Sequence, residues 1–263
     1  MHLLLSGEGP SDIGVCYPAA EYCQSENFKP GPMAWLVDQW IEKCQGYDFS
    51  HLESGLVHFV NEKYLAKNKP DPAKKAMRLR GKRTPGETAY YFYNARALAK
   101  RAISLAHEVD DQVVAVLFRD ADGTASAGRG EWQAKYDSML EGFEVEGFVY
   151  GVAMLPQPKS EAWLLCALNP QSPYQHCARL EEESGNDKSP YSLKSQLDVA
   201  CQGNTSADQL AETVKTGGVQ WEKIDMPSLS AFKSRLEEVV ARAVKRKTQC
   251  KQQIQKASIK EQQ

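Results

Sequence analysis

The apolar positions fall into short unbroken runs that alternate with stretches of helical spacing. Val113 to Phe118 is six apolar residues in a row, four of them β-branched or aromatic. Such a run reads as a strand buried on both faces. His2 to Ser6, Leu56 to Val60 and Glu146 to Leu155 read as further strands. Met33 to Cys44 carries Met33, Trp35, Leu36, Val37, Trp40, Ile41 and Cys44 at helical spacing. A second helix is expected from the Thr84-Pro85-Gly86-Glu87 start signal to about Val109, and a third over Glu131 to Leu140. Strands separated by helices predict an α/β fold with a mostly parallel, Rossmann-like sheet flanked by helices. After Pro170 the texture changes: Tyr191 to Cys201, Ser206 to Lys215 and Ser228 to about Thr248 read as helices with no strand between them. The chain is expected to divide into residues 1–168, with an insertion at about 15–83, and a helical region 169–263 packed on it, frayed from about 249. Residues 15–32 read as a loop, and a helix is expected near Ile13.

Composition narrows the classes. Of the 263 residues 42% are hydrophobic and 25% charged, as in ordinary globular proteins, and the net charge is −2. No apolar run approaches the roughly 18 residues of a membrane span, so no membrane partner is expected. The apolar start at Met1 ends too early, at Ser6-Gly7-Glu8, for a signal peptide, which makes the cytoplasm the default location. Seven scattered cysteines without a C-x-x-C argue against zinc and against a disulfide framework. Charge is uneven: Lys63, Lys67, Lys69, Lys74, Lys75, Arg78, Arg80, Lys82 and Arg83 face only Asp71 in residues 63–83. Within this stretch Lys74, Lys75, Arg78, Arg80, Lys82 and Arg83 are candidates for nucleic-acid binding, through phosphates more than bases. The same run is also what a solvated surface segment looks like.

The candidate chemistry sits where strands end. Ligands of open α/β sheets bind at the carboxyl ends of the strands. The strand 113–118 runs into Asp120 and Asp122, the first strand into Glu8 and Asp12, and the strand ending at Leu155 into Lys159 and Glu161. Each has a plainer reading. Asp120-Ala121-Asp122-Gly123 is a good turn, Glu8 could be a solvated residue in a βα turn, and Glu161 in the first turn of a helix is worth about 0.3–1 kcal/mol through the macrodipole alone. Ser160 reads as that helix's cap. Jointly, acids from separate strand ends on one edge repel one another unless a divalent cation, Mg²⁺ or Mn²⁺, joins them.

Three of these segments resemble a known family. Leu3-Leu4-Leu5-Ser6-Gly7-Glu8-Gly9-Pro10-Ser11-Asp12 is similar to the glutamate motif of TOPRIM domains, especially in OLD-type nucleases. Phe118-Arg119-Asp120-Ala121-Asp122-Gly123 resembles the TOPRIM D-x-D motif. Pro158-Lys159-Ser160-Glu161-Ala162-Trp163 is similar to a segment of stand-alone TOPRIM-like bacterial proteins of phage defence. The resemblance covers about residues 1–168 and implies a Mg²⁺-dependent nuclease acting on DNA or RNA. It implies Glu8 as ligand or general base, and Asp120 and Asp122 as ligands. Asp12 would stand on the second-metal side, Glu161 would be a further ligand, and Lys159 would stabilise phosphate charge. A partner ATPase of a defence system is a further implication, and self-association stays open. Two other readings remain: a non-catalytic TOPRIM-like subunit that binds nucleic acid or a partner, and a haloacid-dehalogenase-type phosphatase in which Asp120 attacks phosphorus.

Overall fold

The computed structural model describes residues 1–9, 11–71, 88–121 and 129–260, with the backbone alone given for 129–131 and 246–260. Its centre is a five-stranded sheet. Strand β1 (His2–Gly7) lies between β5 (Val57–Asn61) and β6 (Val113–Phe118), and β7 (Gly151–Met154) flanks β6. These four strands are parallel; Leu5 lies opposite Phe59 on one side and Val116 on the other. Leu3, Leu4, Leu5 and every residue of β6 are fully buried, which is why both runs are apolar without alternation. The chain steps from β1 outward to β5, then back across β1 to β6 and on to β7. The order of connection therefore reverses between β1 and β6, where a doubly wound sheet opens a crevice at its carboxyl edge.

Helices cover both faces. Among the described residues α3 (Ala89–Val109) and α4 (Arg129–Val145) pack on each other, α3 against β6 and α4 against β7. On the other side α1 (Pro32–Gln45) packs against α8 (Pro227–Lys260), which itself lies on β6 and β7. Right-handed crossovers require this split when the chain moves first one way and then the other along the sheet. β7 is an edge strand, and Arg235 of α8 covers part of that edge by donating Nε–H to the Gly151 carbonyl at 3.0 Å. The C-terminal helices α6 (Leu193–Ala200), which packs on α5 (Ser160–Leu168), and α7 (Ala207–Lys215), which packs on α1, complete the chain. No described helix is long and apolar enough to cross a membrane.

Several expectations need correction. The helix near Ile13 does not form. Gly14 has φ of +123° and starts a short strand, β2 (Gly14–Cys16), paired antiparallel with β4 (Phe28–Pro30). Residues 15–32 are not an open loop: β3 (Tyr22–Gln24) joins the main sheet antiparallel to β5. The span 15–83, read as an insertion, thus supplies β5, a direct neighbour of β1, and that part belongs to the sheet itself. The expected strand from Glu146 is confined to Gly151–Met154, and helix α8 runs to Lys260 where fraying was expected from about 249. The helix expected from Thr84 is described from Ala89, with Thr88 as its cap; residues 84–87 lie outside the described residues. Cysteine usage was also misread. Cys16 is bonded to Cys23, closing the β2–β3 loop, and Cys166 to Cys177.

Buried polar groups tie the sheet edge together. His58, in β5, meets the Tyr22 hydroxyl at 2.8 Å and the His2 ring at 3.2 Å. Burial, and then the charges of His2 and Arg101, lower its pKa to about 4. Between an ordinary 6.5 and about 4 the unfolded chain takes a proton that the native His58 refuses. This contribution is therefore present above pH 6.5 and lost as pH falls towards 4. The variant His58→Gln is expected to show a smaller drop in urea midpoint between pH 7 and pH 4.5 than the parent chain.

Candidate active site

The crevice between β1 and β6 is where the acids meet. Gly7 ends β1 opposite Phe118, the last residue of β6, so Glu8 and Asp120 leave adjacent strands on the same edge. Gly7 must be glycine here, since a Cβ would sit 2.6 Å from a methyl of Ile13. A Glu8 carboxylate oxygen accepts the Asp120 backbone N–H at 2.9 Å. Asp120 in turn accepts the Ser160 backbone N–H at 3.0 Å, and the Ser160 hydroxyl donates a short hydrogen bond to Asp12. Ser160 opens α5, immediately beyond β7. One residue thus joins acids that come from two different strand ends.

The peptide after β6 is pinned on every side. The Tyr91 hydroxyl donates to the Asp120 carbonyl at 3.2 Å, and the Lys135 ammonium donates to the Ala121 carbonyl at 2.7 Å. The Ala121 N–H reaches the Pro156 carbonyl at 3.0 Å. A carboxylate on such a frame has little rotational freedom left to lose on binding, which is the condition for a preorganised site.

The acids perturb one another. Burial raises the Asp120 pKa well above the usual carboxylate value, and the charges of Asp12, Glu161 and Glu8 push it further. Asp12 and Glu161 are raised as well, each chiefly by burial; the Ser160 and Ser11 hydroxyls oppose this at Asp12, and Lys159 opposes it at both. Raised pKa values with named electrostatic causes, in a crevice, mark functional sites more often than ordinary surface. Lys159 is committed to an ion pair with Asp187 at 2.9 Å and lies mostly buried.

The expected site residues therefore divide. Glu8, Asp12, Asp120 and Glu161 share one edge, near enough to feel each other's charge, and Lys159 stands beside them. Asp122, Lys74, Lys75, Arg78, Arg80, Lys82 and Arg83 lie outside the described residues. Two details differ from expectation. Ser160 is not the cap of α5, because Lys159 takes that position without a side-chain bond and the Ser160 hydroxyl goes to Asp12. The turn before it is buried at Pro156 and Pro158 rather than exposed. Ser160 is the functional candidate that sequence reasoning missed, since a hydroxyl at a helix start looks like a cap.

The donor set is all oxygen, the chemistry that Mg²⁺ and Mn²⁺ prefer. Among the described residues no three His, Cys, Asp or Glu side chains stand close enough to form a ready coordination sphere. As they stand, the acids are held by backbone amides and by Ser160. At the far end of α5 a cleft of about 370 Å³ is lined by Leu165, Asn169, Tyr191, Gln196 and Val199. Comparison of the chain with protein-family models, with curated proteins and with solved structures finds no match.

Proposed function

We propose that this chain is a divalent-cation-dependent nuclease that hydrolyses phosphodiester bonds in DNA or RNA. The observation that carries the reading is the convergence of Glu8, Asp12, Asp120 and Glu161 at the one point of the sheet where strand order reverses. Acids that raise each other's pKa form a costly arrangement for stability alone. Asp120 and Glu8, with Asp12 and Glu161 beside them, would hold Mg²⁺ or Mn²⁺. The cation would neutralise phosphate charge and acidify a bound water.

The chain's own groups do the rest. Ser160 keeps Asp12 and Asp120 at a fixed separation through its hydroxyl and its amide. Glu161 and Asp12, whose pKa values burial raises above the usual carboxylate range, are suited to take a proton from attacking water. The likeness of the Glu8 and Asp120 segments to TOPRIM motifs points the same way, and with it comes the proposal of an anti-phage role under a partner ATPase.

The test is incubation of the purified chain with end-labelled single- and double-stranded DNA and RNA, with Mg²⁺, Mn²⁺ or chelator. Metal-dependent cleavage that disappears in Glu8→Gln is the expected result. Binding without cleavage under every metal supports the non-catalytic subunit. A trapped aspartyl-phosphate supports the phosphatase.

A further inference from the structure

Arg119 is the anomaly of the crevice. It follows β6 directly, precedes Asp120, and has no exposed surface. Its Nη1 donates to the Phe118 carbonyl at 3.0 Å, while Nε and Nη2 have no hydrogen-bond partner among the described residues. No described carboxylate pairs with it. A guanidinium stays charged inside a protein, and a buried charge without a partner costs far more than a neutral group of the same shape. The Tyr90 ring lies under it, its centroid 5.4 Å from the guanidinium carbon. Tyr90 stands in the first turn of the 21-residue helix α3, the end whose dipole favours anions. The Tyr90 hydroxyl donates to Glu62 at 2.6 Å and stands within electrostatic reach of both the Arg119 cation and the Glu8 carboxylate.

The unfilled donors are the informative detail. Nε and Nη2 form the side-on edge of guanidinium, the edge whose parallel N–H groups match the oxygens of a phosphate or carboxylate. An anion with two oxygens is what this edge lacks. We propose that the Nε/Nη2 edge of Arg119 is a phosphate clamp, receiving the oxyanion of a phosphate ester seated next to Asp120. The inference rests on the nuclease reading for the identity of that ester, a nucleic-acid phosphodiester, but not for the clamp itself. Tyr90 is partly exposed and Arg119 is not, so binding carries a displacement of the Tyr90 ring with it.

The experiment measures thermal stability and affinity of the full chain with inorganic phosphate and with a dinucleotide holding a single phosphodiester. The parent chain is compared with Arg119→Lys, Arg119→Gln and Arg119→Met. Phosphate is expected to stabilise the parent. Arg119→Lys, which keeps the charge without the fork, is expected to bind roughly 10- to 100-fold more weakly. Arg119→Met is expected to melt no lower than the parent without ligand, because unmet donors vanish with the guanidinium, and to be blind to phosphate. Should Arg119→Met not fold, Arg119→Gln carries the same comparison. A parent chain indifferent to both ligands, or variants that keep the full response, overturns the clamp. Preference for the dinucleotide over free phosphate identifies a diester as the occupant, and equal binding identifies the phosphate group alone. Phosphate response through Arg119 in a chain that cuts no nucleic acid leaves the clamp standing and removes the nuclease. Undiminished metal-dependent cleavage in Arg119→Met does the reverse.

Discussion

Asp120→Asn is expected to raise the melting temperature of the chain while abolishing the metal-dependent cleavage proposed for it. The carboxylate accepts the Ser160 amide and sits among Asp12, Glu161 and Glu8, and burial with those three charges holds its pKa well above the usual value. An amide of the same shape keeps an acceptor for Ser160 and sheds the repulsion. Activity should fall on the order of 10³-fold, the scale seen when a preorganised charge-stabilising group is lost. The sign of the pH dependence follows from linkage. A carboxyl with a raised native pKa binds its proton more tightly folded than unfolded. Its contribution is therefore complete below the ordinary value near 3.8 and is lost as pH rises through the native pKa. The gain from Asp120→Asn should accordingly be larger at pH 7 than at pH 4, and Mg²⁺ should stabilise the parent chain but not the variant. Melting curves at the two pH values, with and without Mg²⁺, check all three points. A variant that melts lower than the parent at pH 7 would show that Asp120 is part of the scaffold.

Trp163→Ala should act in the opposite direction on stability. Trp163 is fully buried in α5, its ring centroid 6.1 Å from that of Phe232 in α8. Its indole N–H donates to the Ser228 hydroxyl at 2.8 Å, and Ser228 donates through both amide and hydroxyl to the buried Glu181. Truncation leaves a cavity and one unsatisfied hydroxyl acceptor, at a cost of about 3–5 kcal/mol. In a chain of this size that corresponds to a fall in melting temperature of roughly 10 °C or more. Trp163→Phe, which fills most of the space but drops the donor, should cost about 1–3 kcal/mol. Equal losses for the two would mean that the polar link, not the volume, holds α5 to α8. Because Ser160 opens the same helix, Trp163→Ala should also slow any cleavage, whereas Asp120→Asn separates activity from stability.

Much of this arrangement was legible from the residues. β1 and β6 announce themselves as unbroken apolar runs because central parallel strands are buried on both faces, and the acids that follow them were readable as strand-end groups. Three features were not. β2, β3 and β4 are three residues each and include Pro30 and a glycine of unusual φ, so no period of two had room to show. The pairing of Cys16 with Cys23 depends on that hairpin-like fold-back and is invisible without it. Ser160 and Arg119 escaped because both occupy positions with commonplace explanations, a helix cap and a charge at the end of a strand. Only three-dimensional neighbours, Asp12 in one case and, among the described residues, the lack of a hydrogen-bond partner for Nε and Nη2 in the other, distinguish them.

The placement of β1 in the middle of the sheet has a consequence for synthesis. The apolar residues Leu3, Leu4 and Leu5 are made before both of their neighbours, Val57 to Phe59 and Val114 to Val116. At about 5–20 residues added per second, several seconds pass before both partners have been made. Throughout that interval the nascent chain displays a sticky, unpaired segment, which makes it a natural client for chaperones and gives aggregation a foothold that the finished protein lacks.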